Sequence, residues 1–124
     1  MSSFLVTEAD YANLSLLESL KLERRLAGAK RVPSAEAPAE LVTMNSIVRY
    51  RLAATGARRE VQLVYPQDAR SRLRNRCSVL SALGLALLGT SEGDSVELGS
   101  GRILIEEVLH QPESSLQKYL FVRG

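Results

Sequence analysis

The chain has 124 residues, a formal net charge of +2, 45% hydrophobic and 24% charged residues, the composition of a folded domain rather than a disordered or fibrous chain. A single cysteine, Cys77, and a single histidine, His110, exclude an internal disulfide scaffold and a structural zinc site built on those ligands. The longest apolar run, about residues 79–88, is roughly half of what a membrane helix needs, and Thr7, Glu8 and Asp10 break the apolar start Phe4-Leu5-Val6 that a signal peptide would extend, so a soluble, cytoplasmic protein with no membrane partner is expected.

Thr7-Glu8-Ala9-Asp10 has the form of a capped helix start, with the Thr7 hydroxyl placed to take a free N–H at Asp10. Tyr11, Leu14, Leu17, Leu20, Leu22 and Leu26 follow at close to helical spacing. The pattern fits one helix from Thr7 to about Lys30, with Lys30 and Arg31 in its last turn, or a short hairpin bending near residues 18–20. Residues 33–38, with two prolines, read as a linker. From Leu41 the period changes to two. Val48, Tyr50 and Leu52 alternate with Arg49 and Arg51 as a strand with one wet face. A turn at Thr55-Gly56 leads to a returning strand over residues 61–65. Residues 77–80 read as a short buried strand, residues 82–88 as a small helix capped by Gly89, residues 95–98 and 102–108 as the last two strands. The expectation is an α+β domain of four or five antiparallel strands with one short helix.

No catalytic constellation stands out. His110 is the only base of its kind, and it reads as a surface residue ending a strand. Cys77 reads as a small core residue. The glycines fit no phosphate-loop spacing. Glu106 and Glu107, adjacent on a strand, are expected on opposite faces and so unable to share a metal. No metal and no cofactor is expected. Charge is uneven along the chain: residues 41–80 hold eight arginines against two acidic residues. Within that block Arg70, Arg72, Arg74 and Arg76 recur at every second position. If extended, the run projects four guanidinium groups from one side, suited to phosphates or an acidic protein surface; the plain alternative is a solvated loop. Few aromatic side chains stand nearby, which argues against a single-strand stacking platform and leaves only weak, non-specific nucleic-acid contact, DNA included.

Four short motifs occur in order: Val42-Thr43-Met44-Asn45-Ser46, Leu63-Val64-Tyr65-Pro66, Ala86-Leu87-Leu88-Gly89 with Gly93-Asp94-Ser95, and Leu109-His110-Gln111-Pro112-Glu113 with Tyr119-Leu120 beyond. Together they resemble the GreA/GreB transcription elongation factor family, in its branch of regulators of nucleoside diphosphate kinase (Rnk). The resemblance spans about residues 41–120. It implies an FKBP-like antiparallel domain over residues 38–124, preceded by a short helical, truncated coiled-coil-like segment and linker over residues 1–37. It also implies binding to RNA polymerase at the secondary channel. Gre factors carry acidic residues to the polymerase metal on a long hairpin. Here two equal arms would have about twelve residues, or about 18 Å each, and the bend Glu18-Ser19-Leu20-Lys21 lacks an acidic pair. Stimulation of transcript cleavage is therefore not expected.

The family's aspartate-serine-proline contact segment falls on Leu80, Ser81 and Ala82, where only the serine is kept; the Rnk branch also has an apolar first residue but retains the proline. The resemblance makes these three residues the polymerase contact, whereas a purely structural role makes Leu80 and Leu83 core and Ser81 a helix cap. The leading expectation is thus a non-enzymatic regulator of transcription elongation. The alternatives are an FKBP-like interaction module without polymerase binding, or a homodimer through the N-terminal helix. A prolyl isomerase is disfavoured, because no Trp and two terminal Phe residues leave little from which to build an aromatic pocket.

Overall fold

Apolar and charged residues alternate after position 46, and the computed structural model, described for residues 4–70, 75–99 and 101–112, shows what that alternation builds. Strands β3 (Ile47–Leu52) and β4 (Arg58–Val64) form a hairpin, with Tyr50 opposite Arg59 and Val48 opposite Val61. Strand β7 (Gly101–His110) lies on the other side of β3, with β6 (Ser95–Leu98) outside it and β5 (Arg76–Ser78) outside β4. Val48, Tyr50, Leu63, Ile103 and Ile105 turn into the core beneath helix α3 (Ala82–Leu87). Arg49 and Arg51 turn to water.

The sheet is mixed rather than wholly antiparallel, because β5 runs parallel to β4. A parallel neighbour needs a crossover connection, and the turn Pro66–Arg70 begins it. β5 is also shorter and wetter than the sequence suggests: it ends at Ser78, and its three residues are half-buried. In the linker, the prolines leave room for one tight helical turn, Ser34–Glu36.

The N-terminal segment takes the hairpin version of the helical pattern rather than one long helix, and adds two short strands to it. Strand β1 (Leu5–Thr7) enters helix α1 (Glu8–Leu14), a bend leads into α2 (Leu20–Ala27), and β2 (Lys30–Val32) returns to pair in parallel with β1. Lys30 and Arg31 therefore lie on a strand, not in a last helical turn. Serines divide the helices: Ser15 closes α1 and the Ser19 side chain accepts the Leu22 N–H to open α2. Such hydroxyls compete with helix continuation. Helices this short are not stable alone in water. Val6, Leu14, Leu22 and Leu26 join the same buried cluster as the sheet residues, and that burial supplies the missing stability.

A bulge in β7 overturns the expected placement of the two glutamates. Arg49 lies opposite Glu107 and Tyr50 opposite Ile105, so Glu106 is the extra residue. The extra residue breaks strict alternation, and both carboxylates reach the arginine face. Glu107 pairs with Arg49 at 3.4 Å, and Glu106 with Arg58 at 3.0 Å and Arg51 at 3.9 Å. Arg49 also pairs with Glu60 at 2.7 Å, and this hydrogen bond raises its pKa. Three arginines of the basic block are thus matched across the sheet by glutamates.

Candidate functional site

The start of α3 is shaped by a close approach of the helix to β5. The N–H of buried Val79 donates to the Val64 carbonyl, extending the parallel pairing by one residue before the chain turns away. Ser81 then caps the helix, as its alternative structural role requires. Its hydroxyl accepts the Gly84 N–H at 3.0 Å and donates to the Ser78 carbonyl at 2.6 Å. Gly84 is buried because the helix lies directly on the backbone of Ser78 and Val79. This leaves Leu80 39% exposed and Ala82 exposed on either side of the half-buried cap. Leu80 is therefore not core, while Leu83 packs against the core as expected.

Beneath this turn lies Cys77. Burial pushes its thiol from 9.0 up to about 11, against a smaller opposing effect of a hydrogen bond with Ser81. Only about a thousandth of such a thiol is thiolate at pH 8, so it is a poor nucleophile. Iodoacetamide should therefore modify native Cys77 far more slowly than the urea-unfolded chain at pH 8, as measured by mass spectrometry. Because the unfolded thiol ionises first, its contribution to stability is held below pH 9 and lost as pH rises towards about 11.

The opposite end of α3 receives the N-terminal unit. Arg25 of α2 donates to the carbonyls of Leu88 at 3.0 Å and Ala86 at 3.4 Å, and its guanidinium lies 4.0 Å from the centre of the Phe4 ring. Those carbonyls belong to the end of α3, where a cation is favoured. Burial lowers the Arg25 pKa. Phe4 lies so close to Gly89, at φ +79°, that any side chain there would meet the ring. From α1, buried Asp10 accepts the Met44 N–H at 3.0 Å. These ties were not legible in the sequence: Asp10 was visible only as a first-turn acid, and nothing in the periodicity singles out Arg25.

The arginine run is divided between elements. Arg70 ends the turn Pro66–Arg70, and Arg76 opens β5 and donates to the Asp68 carbonyl at 3.3 Å. The Arg70 side chain and all of Arg72 and Arg74 lie outside the described residues. Arg70 itself stands in a helical turn rather than in an extended segment. His110 ends β7 exposed, opposite Ile47. Among the described residues no three His, Cys, Asp or Glu side chains are grouped to hold a metal, and no helix is long and apolar enough to cross a membrane.

Comparison with known proteins follows the same lines. Residues 37–107 match the family described as transcription elongation factor, GreA/GreB, C-terminal. The chain is 37% identical over 119 residues to the regulator of nucleoside diphosphate kinase of Escherichia coli K12, covering 90% of this chain and 83% of that protein, and equally to that of Shigella flexneri. Among solved structures, a GreA/GreB elongation factor from Nitrosomonas europaea superposes with a TM-score of 0.72 at 30% identity, over 89% of this chain and all of the other. GreA factor homolog 1 of Thermus thermophilus shares the fold, with a TM-score of 0.52 at 22% identity over 87% of this chain and 99% of that one.

Proposed function

The chain belongs to the GreA/GreB transcription elongation factor family, and from that premise we propose that it is an Rnk-like, non-enzymatic regulator that binds RNA polymerase near the secondary channel without stimulating transcript cleavage. The observation that carries the second half of this reading is the size of the hairpin. Its helices have seven and eight residues, about 10–12 Å each, and its bend holds Glu18 as a lone carboxylate. A hairpin this short does not carry its tip as far as a long Gre hairpin would, and a lone carboxylate does not replace an acidic pair. On this reading the C-terminal unit is an FKBP-like binding platform, and its contact element is the exposed Leu80 and Ala82 flanking capped Ser81. The arginine run Arg70, Arg72, Arg74 and Arg76 adds weak contact to phosphates or an acidic surface, which should fall steeply with salt.

The reading is tested by pull-down of purified core polymerase with this chain, run beside a competition assay for Gre-stimulated cleavage. Binding with inhibition, and no cleavage by the protein itself, is the expected result; absence of binding at low salt sinks the proposal. Ser81→Ala resolves the contact. Loss of the cap alone should lower stability by about 1 kcal/mol, measured by urea unfolding, and Leu80→Ser, at a position 39% exposed, should cost about 1–2 kcal/mol through lost apolar burial. Weakened polymerase binding by both variants, beyond any loss of folded protein, is expected. Unchanged binding by folded Leu80→Ser would remove these residues from the site. The second reading, a homodimer through the helical segment, draws on exposed Leu16 and Leu20. Light scattering at twice 13.6 kDa would support it.

A further inference from the structure

Strand β4 breaks the alternation that builds the rest of the sheet. Arg59 lies opposite Tyr50, and residues directly opposite each other across a ladder share a face, so Arg59 belongs to the face that carries α3. Other positions on that face hold apolar side chains, among them Val48, Val61, Leu63, Ile103 and Ile105. Arg58 and Glu60, its neighbours in sequence, pair on the opposite, charged face. A two-residue period would put an apolar residue at position 59. A guanidinium there cannot be covered without an anion beside it, and Arg59 is exposed.

Arg59 is also unmatched. Arg49, Arg51 and Arg58 each pair with a glutamate, whereas α3 has no acidic residue to offer. Among the described residues, Arg59 is the one arginine of β3 and β4 without an ion pair. Its strand is held between β3 and β5, which fixes the backbone from which the side chain projects.

The start of α3 lies at the other end of the same patch. Ser81 is hydrogen-bonded with the Cys77 thiol, and Cys77 stands beside Leu63 of β4. Burial raises the Tyr50 pKa, with nearby Cys77 adding to the rise and nearby Arg59 opposing it, so both side chains lie within electrostatic reach of Tyr50. A continuous line of residues thus runs from Ser81 through Cys77 and Tyr50 to Arg59. Exposed Leu80 and Ala82 flank one end of it, and an unpaired cation stands at the other.

Charge selects the chemistry of what binds there. A guanidinium is matched by a carboxylate, which it can hold through two parallel hydrogen bonds. A nucleic-acid backbone is bound by several cations, each neutralising a phosphate. This face offers a single cation next to apolar side chains, a combination suited to a protein surface. We propose that Arg59 extends the contact element at Leu80, Ser81 and Ala82 and pairs with a carboxylate of RNA polymerase, as the residue that selects the charge of the surface bound. The pairing rests on the polymerase reading above.

The test compares the full-length chain with R59A, R59Q, R59K and R58A for binding to purified core polymerase at low and high salt, with a labelled DNA duplex alone as a parallel target. R59A should bind polymerase about 10-fold more weakly at low salt, and the difference should shrink as salt screens the pair. R59K should recover part of the loss, since it keeps the charge without the planar fork. R58A, which breaks a pair with Glu106 on the other face, should bind as the unmodified chain does. Urea unfolding checks that each variant is folded, and R59Q, which keeps most of the side chain's length, decides the case if R59A folds poorly. Wild-type affinity in folded R59A or R59Q, or an equal loss in R58A, overturns the inference while leaving the polymerase reading intact. A matching loss of DNA affinity in R59A overturns it in favour of a phosphate. Failure of the unmodified chain to bind polymerase overturns both.

Discussion

Gly84→Ala should destabilise the protein by about 3 kcal/mol or more, although the same change in an open helix stabilises by roughly 1 kcal/mol. A Cβ at this position would lie 2.0 Å from the Ser78 carbonyl oxygen and 2.8 Å from the Val79 Cα. Both are backbone atoms, held by the pairing of β5 with β4, so no side chain can swing aside to relieve the contact. The first turn of α3 must lift, and with it the Ser81 cap and the exposed Leu80. Urea unfolding measures the loss. Gly56→Ala is the control: its Cβ meets nothing within 4 Å, but φ is +74°, so only the left-handed backbone penalty of about 1–2 kcal/mol applies. A gain in stability for Gly84→Ala would show that α3 does not rest on β5 as described.

Leu22→Ala should lower stability by about 2–5 kcal/mol, and the loss should appear throughout the chain. Leu22 is fully buried on α2 and belongs to the cluster that includes Val48, Leu63 and Ile105 of the sheet. Helices of seven and eight residues have no stability of their own to lose, so the cavity weakens the packing of sheet and hairpin together. The amides of β3 and β7 should therefore lose protection in hydrogen exchange by the same free energy as those of α2. Unchanged exchange in the sheet, with α1 and α2 alone opened, would show the N-terminal unit to be an independently unfolding appendage.

The β3–β4 hairpin was legible because Val48, Tyr50 and Leu52 alternate with arginines around a Thr-Gly turn, and a two-residue period has few other outcomes. The small helix was legible from Ser81 before it and Gly89 after it. Those local signals also placed Leu80, Ser81 and Ala82 at a helix start. What they could not give was exposure: Leu80 sits in an apolar run, and only the turn away from β5 after Val79 leaves it partly in water.

The N-terminal unit shows the same limit. Its leucine periodicity marked helix, but Leu14, Leu17, Leu20 and Leu22 gave no means of telling the buried from the exposed. That division arises because the bend at residues 15–19 changes the direction of the helical face, and because β1 and β2 pair across more than twenty residues of sequence. The meeting of Arg25 with the end of α3, of Asp10 with Met44, and of Glu106 and Glu107 with the arginine face has the same origin. Local periodicity, caps and turns, each set by residues a few positions apart, were determined by the sequence as read, together with the family likeness of its ordered motifs. Long-range register, the β7 bulge and the choice of which leucines stay in water were decided only by tertiary structure, since each depends on the backbone position of a partner distant in the chain.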